Sequence, residues 1–268
     1  MTTIRPPAVA GMFYPGEARQ LANDVRQLLA GARPFDLLPK ALIVPHAGYI
    51  YSGAIAATAY ATLATIAPRI RRVVLLGPTH RVAVRGLALP GADAFDSPLG
   101  RVTLDAAGAR AIAQLPQVGV SAQAHALEHS LEVQLPFLQS VLSDFTLLPL
   151  AVGMASAEEV AEVLEKVWGG DETLIVISSD LSHYLPYGAA QFVDNKTTQN
   201  ILAMNQPIEH DEACGGTPIS GLIIAARNHH LKPYLLDLRN SGDTAGSRDR
   251  VVGYAAFAFV REDDHVQL

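Results

Sequence analysis

Two histidines stand at the same place after two separate apolar runs, Leu42-Ile43-Val44-Pro45-His46 and Val73-Val74-Leu75-Leu76-Gly77-Pro78-Thr79-His80. A third run, Leu174-Ile175-Val176-Ile177-Ser178-Ser179-Asp180, ends on a carboxylate, with His183 just behind it. Imidazole and carboxylate are ligands for transition metals, and they also give and take protons near neutral pH. In an open α/β sheet the carboxyl ends of the strands form the edge where ligands bind. The three endings therefore predict one crevice that holds a metal site or an acid/base site.

Cys214, in Ala213-Cys214-Gly215-Gly216-Thr217-Pro218, is the single cysteine. It precedes a predicted helix in which Thr217 caps and Pro218 takes the first turn. A thiol at a helix amino end has its thiolate favoured, which suits a metal ligand or nucleophile. A free cysteine is also commonly a small buried hydrophobe, but the polar, glycine-rich surroundings favour the chemical reading. Asp180 and His183, with Leu181 and Ser182 between them, fit a tight turn in which a carboxylate orients a proton-carrying imidazole. The alternative for them is a capping Asp followed by a surface histidine.

His125, Glu128, His129 and Glu132 form a further polar group. On a helix His129 and Glu132 share a face, in the reverse order of the Glu-x-x-His pairs of carboxylate metal sites. Glu128 reads as part of a solvated helical turn. His125, His129 and Glu132 read as residues that support the metal ligands from behind. His210, His229, His230 and His265 have no comparable setting and read as surface residues.

The elements that must position these groups alternate along the chain. Apolar spacing predicts helices at Glu17 to Ala30, from a Ser52 cap to Ile66, Leu104 to Leu115, Glu128 to Leu142 (with Pro136 early or at a kink), Ala157 to Trp168, Gly188 to Met204 and Ile219 to Asn228. Strands are predicted after Pro39, at Arg72 to Leu76, Gly86 to Leu89, Thr146 to Leu150, Thr173 to Ile177, Lys232 to Leu238 and Val251 to Val260, with Pro90 to Gly100 a loop. Continuously apolar strands must be buried on both faces. The pattern predicts an α/β fold with a mostly parallel, mixed central sheet and helices on both faces. Residues 1–268 read as one domain, its terminal strands antiparallel or at an edge and its tail from Arg261 to Leu268 frayed.

With 268 residues, 49% hydrophobic and 17% charged residues and a formal net charge of -6, the chain has a large core and no basic surface for nucleic acid. No apolar run approaches the roughly 20 residues of a membrane span, and the opening residues lack a signal-peptide core. A single cysteine excludes an internal disulfide, and a cytoplasmic location is expected. Phosphate-binding loops, nucleophile elbows, His-Glu-x-x-His and paired Cys-x-x-Cys motifs are absent, which leaves metal-centred chemistry.

Several blocks resemble the Memo family, the B-type component of the AmmeMemoRadiSam system: Pro6-Pro7-Ala8 to Phe13-Tyr14-Pro15, Pro45-His46-Ala47-Gly48-Tyr49 to Ser52-Gly53, Gly77-Pro78-Thr79-His80, Glu128-His129-Ser130-Leu131-Glu132-Val133-Gln134-Leu135-Pro136, Ser178 to Tyr184, and Cys214-Gly215 with Pro218-Ile219. Members of that family resemble the catalytic subunit of class III extradiol dioxygenases, which use non-haem iron. The resemblance implies metal ligation by His46, His80 and Cys214, with Asp180 and His183 beside the metal as acid/base residues. The dioxygenases hold iron by two histidines and a carboxylate, so a thiolate here is a departure that favours copper, thiophilic iron or zinc. Ring cleavage is not implied. The expected function is metal-dependent redox chemistry with iron or copper, zinc hydrolysis being a weaker reading. The alternative is a partner- or peptide-binding component acting with a radical SAM protein and an AMMECR-type protein.

Overall fold

A computed structural model describes residues 2–261. Arg261, expected at the start of the frayed tail, is instead a strand residue paired with Leu231, and the rest of that expected tail, His265 included, lies outside the described residues. In chain order the elements are β1 (Ile4–Arg5), α1 (Ala18–Ala30), β2 (Pro39–Val44), α2 (Tyr49–Ala61), β3 (Arg72–Pro78), β4 (Leu87–Leu89), β5 (Ala94–Ser97), β6 (Gly100–Thr103), α3 (Ala106–Ile112), β7 (Val118–Val120), α4 (Ala122–Ala126), α5 (Leu135–Val141), β8 (Thr146–Val152), α6 (Ala157–Val167), β9 (Thr173–Ser178), β10 (His183–Leu185), α7 (Tyr187–Leu202), α8 (Gly216–Asn228), β11 (Leu231–Asn240) and β12 (Val251–Arg261).

Four parallel strands, in the order β2, β9, β3, β8, form the centre of the main sheet. Antiparallel pairs flank them: β12 lies against β2 and carries β10 and β11, while β4 lies against β8 and carries β7 in parallel. The strands β1, β5 and β6 form a separate small sheet. The terminal β11 and β12 pair antiparallel, as expected.

The alternation of side chains along a strand divides the central residues between two cores. Leu42, Val44, Val73, Leu75, Leu174 and Val176 pack with Leu21 and Val25 of α1, Ile55 and Tyr60 of α2, and Phe137 of α5. Their neighbours Ile43, Val74, Leu76, Ile175 and Ile177 pack with Val163 and Leu164 of α6 and Leu222 and Ile223 of α8. Each such burial contributes roughly 1.5–3 kcal/mol. This two-sided packing is why the strands carry unbroken apolar runs.

Several boundaries differ from the sequence expectation for identifiable reasons. The α2 helix begins at Tyr49 rather than at a Ser52 cap, because the Tyr49 N–H, one of the donors without a helical partner, is taken by the Phe13 carbonyl at 2.8 Å. Ser52 Oγ instead donates to the Ala47 carbonyl. The expected helix from Glu128 to Leu142 is a 3-10 turn (Glu132–Gln134) followed by the short α5. Pro136 lacks the N–H to continue an upstream helix and sits in the first turn of α5. The helix expected at Leu104 to Leu115 is α3, which starts at Ala106 because Asp105 caps it, accepting from Ala107 N and Gly108 N, and which ends at Ile112. The segment expected as a loop from Pro90 to Gly100 holds β5 and the start of β6, which pair as a hairpin. No helix of the described residues is long and apolar enough to cross a membrane.

Candidate metal centre

The strands β2, β9 and β3 are neighbours, with Val44 opposite Ser178 and Ile177 opposite Leu76. Their carboxyl ends therefore deliver His46, Asp180 and His80 to one edge, where Asp180 Oδ1 accepts from His46 N at 2.7 Å. His129 joins them from the loop before the 3-10 turn. Its ring stacks on His80 with centroids 4.6 Å apart and meets His46 edge-on at 5.5 Å. Each of His46, His80 and His129 offers a ligand atom, and those atoms lie within 4.8 Å of one another. His129, expected from the sequence to support the ligands from behind, has its ring against those of His46 and His80.

Cys214, at the amino end of α8, approaches His46 alone of the three histidines, its Sγ 3.4 Å from His46 Nε2 and accepting from Asp180 N at 3.3 Å, and it stands outside the group formed by His46, His80 and His129. The helix begins at Gly216 on a Gly215 cap, so the expected Thr217 cap is not formed. The expected thiolate preference is also reversed. Burial, with the Asp180 charge added, pushes the thiol up to about 12 in the metal-free protein. Burial likewise holds His46 well below the usual imidazole range, lowers His129 to about 4, lowers His183, and raises Asp180 to about 7. Burial thus holds His46 and His129 neutral, the state in which imidazoles offer lone pairs to a metal.

Glu128 was read from the sequence as solvated. It is 2% exposed. Its Oε1 takes His80 Nδ1 at 2.8 Å and Ser130 N at 2.9 Å, and its Oε2 takes His80 N at 2.7 Å. Burial opposes its ionisation, yet these bonds and the His80 charge outweigh that and hold it at about 2. A carboxylate on Nδ1 fixes the ring of a ligating histidine and leaves Nε2 for the metal. The signal available in the sequence was the Glu-His-Ser run itself, misread because the segment was taken for a helix.

Glu132 and His125 are buried but do not touch the imidazoles of the cluster. Glu132 takes the Arg5 guanidinium, Ala8 N, Val9 N and the Tyr14 hydroxyl. Arg5 also donates to the carbonyls of His125 and Glu128. His125 Nε2 lies 2.7 Å from the Ala88 carbonyl. Together they clamp the segment that carries Glu128 and His129 onto the chain's amino-terminal residues. Of the histidines read as surface, His210 and His230 are exposed, while His229 is half-buried and stacked on Trp168.

The cluster opens on a cavity of about 700 Å³, lined by Phe13, Tyr51, Tyr184 and Tyr254, by His183 and Asp180, and at its mouth by Ser247 and Arg250. A cavity of about 730 Å³ between α1, α2 and β11 has no histidine or cysteine among its lining residues. The donor set suits a metal: bond lengths of about 2.0 Å to nitrogen and about 2.3 Å to sulfur at a tetrahedral angle imply a nitrogen–sulfur separation of about 3.5 Å, against 3.4 Å between His46 and Cys214.

Comparison with known proteins gives the family and the fold. The model of the family described as Memo-like protein matches residues 5–258. A MEMO1 family protein of Aquifex aeolicus (strain VF5) is 36% identical over 270 residues, covering 96% of this chain and 99% of the relative. One from Metallosphaera sedula is 35% identical over 285 residues, covering 95% and 99%. Among solved structures, the uncharacterized protein JW3007 from Escherichia coli K12 superposes with a TM-score of 0.51 at 15% identity, over 80% of this chain and 98% of that one, which shows a shared fold. The strand-end histidines, the Glu128–His129 run and Cys214 thus sit within a chain that, over nearly its whole length, belongs to the Memo family.

Proposed function

We propose that the protein binds one transition-metal ion at the carboxyl edge of its sheet and uses it for redox chemistry on a substrate held in the adjoining cavity. The observation that carries this reading is the convergence of His46, His80 and His129 within 4.8 Å in the wall of a cavity of about 700 Å³. His46 and His80 are the constant ligands. The third is Cys214 or His129, and the 3.4 Å separation from His46 Nε2 favours Cys214. Binding there displaces the thiol proton, so affinity rises with pH. A bound iron or copper supplies one-electron and oxygen chemistry. Around it, Asp180 and His183 hold and move protons, the Oδ1 of Asp180 anchoring the His46 backbone. Phe13, Tyr51 and Tyr254 exclude water and favour a flat, largely apolar substrate part.

The test is elemental analysis of protein purified without oxygen, with oxygen uptake followed in the presence of a reductant. Near-stoichiometric metal that is lost in His46→Ala and His80→Ala supports the reading, and unchanged metal in both sinks it. Loss in Cys214→Ala but not His129→Ala assigns the thiolate as third ligand. Metal without reductant-dependent oxygen uptake removes the redox half of the proposal and leaves zinc-type hydrolysis.

A further inference from the structure

His46 Nδ1 faces away from the cavity and lies 2.9 Å from Ser178 Oγ. Which of the two holds the proton between them follows from the other neighbours of that hydroxyl. Ser178 Oγ is 2.6 Å from the Ser130 carbonyl and 2.8 Å from Gln134 Nε2. The Gln134 side chain cannot be turned the other way round, because its Nε2 also donates to the Pro45 carbonyl at 2.9 Å while its Oε1 takes the Tyr60 hydroxyl. A carbonyl accepts only, and an amide NH2 donates only. Ser178 must therefore give its one proton to Ser130 and accept from Gln134. Its remaining lone pair accepts a proton from His46.

The reverse arrangement fails on chemistry. Were Nδ1 bare, the Ser178 hydroxyl would have to turn to it, leaving the Ser130 carbonyl and the Ser178 oxygen facing each other at 2.6 Å with no proton between. His46, Ser130, Gln134 and Ser178 are each at most 1% exposed, so no solvent donor relieves that contact.

We propose that Ser178, locked between the Ser130 carbonyl and the Gln134 amide, is a positioning residue that holds the His46 proton on Nδ1 and keeps the Nε2 lone pair turned to the cleft. It does for His46 what Glu128 does for His80, with a neutral hydroxyl in place of a carboxylate. The metal-ligand significance of the lone pair rests on the function proposed above; the tautomer itself does not.

The experiment is nitrogen NMR of the metal-free protein with isotope-labelled histidine, which distinguishes protonated from bare ring nitrogens, the His46 signal being assigned by its loss in His46→Gln. Zinc affinity of the same samples is measured by competition with a chromophoric chelator. The expected result is a single Nδ1–H tautomer for His46 in the wild type. Ser178→Ala should give a mixture and weaken zinc about ten- to hundredfold, and Ser178→Thr, which keeps the oxygen, should restore the single tautomer. An Nε2–H tautomer in the wild type overturns the proposal without any variant having to fold. So does a folded Ser178→Ala that keeps the wild-type tautomer. The expected tautomers in protein that takes up no zinc would support the role of Ser178 while sinking the metal reading.

Discussion

Glu128→Gln tests the site at the residue where sequence and structure disagree most. The carboxylate receives three donors, His80 N at 2.7 Å, His80 Nδ1 at 2.8 Å and Ser130 N at 2.9 Å. Glutamine has the same size but one oxygen, so its NH2 must face at least one of those donors with nothing to accept. If the oxygen stays on Nδ1, the His80 amide loses its partner and the loop after β3 shifts. If it stays on the amide, two N–H groups oppose each other across Nδ1, and His80 either tilts or moves its proton to Nε2, where a metal would bind. Losing an orienting partner of this kind costs about ten- to hundredfold in metal affinity, or about 1.4–2.8 kcal/mol. Calorimetric titration of zinc into metal-free wild type and Glu128→Gln near neutral pH measures it, with a thermal melt of each to establish folding. Unchanged affinity in a folded variant would refute the claim that Glu128 orients a metal ligand.

The same residue sets an acid limb. Its folded value of about 2 lies below the ordinary glutamate value of about 4.3, so its stabilisation is fully present above the unfolded value and is lost as pH falls through the window between the two. Wild type should lose about 3 kcal/mol of stability there, and Glu128→Gln should show a shallower fall in urea titrations of metal-free protein. Glu132→Gln leaves the buried Arg5 guanidinium without its counter-charge. Breaking such a pair costs about 3–5 kcal/mol, and because the clamp carries the segment with His129, zinc affinity should fall with stability. A Glu132→Gln protein with wild-type melting behaviour would contradict the clamp.

Much of the fold was legible because apolar strands covered on both faces have no polar alternation to hide them. Helix boundaries were less so. Pro136, Asp105 and the Phe13 carbonyl each ended or began a helix by a local hydrogen bond or its absence, and of these only Pro136 and Asp105 leave a mark in the residue pattern. The Glu128 reading failed because a helical spacing was assumed where the chain runs irregularly into a 3-10 turn.

The sequence by itself determined that His46, His80 and Asp180 would share an edge, since each follows a buried strand and parallel strands end together. Tertiary structure decided the rest. That His129 enters the cluster, that Cys214 keeps its proton in a buried setting, and that Glu128 and Ser178 stand behind two imidazoles depend on contacts between residues 34 to 168 positions apart. Residue type and spacing carry the periodicity of a single element; burial and hydrogen-bond partnership belong to pairs of elements, and they are what shift the protonation of His46, Glu128, His129, Asp180 and Cys214.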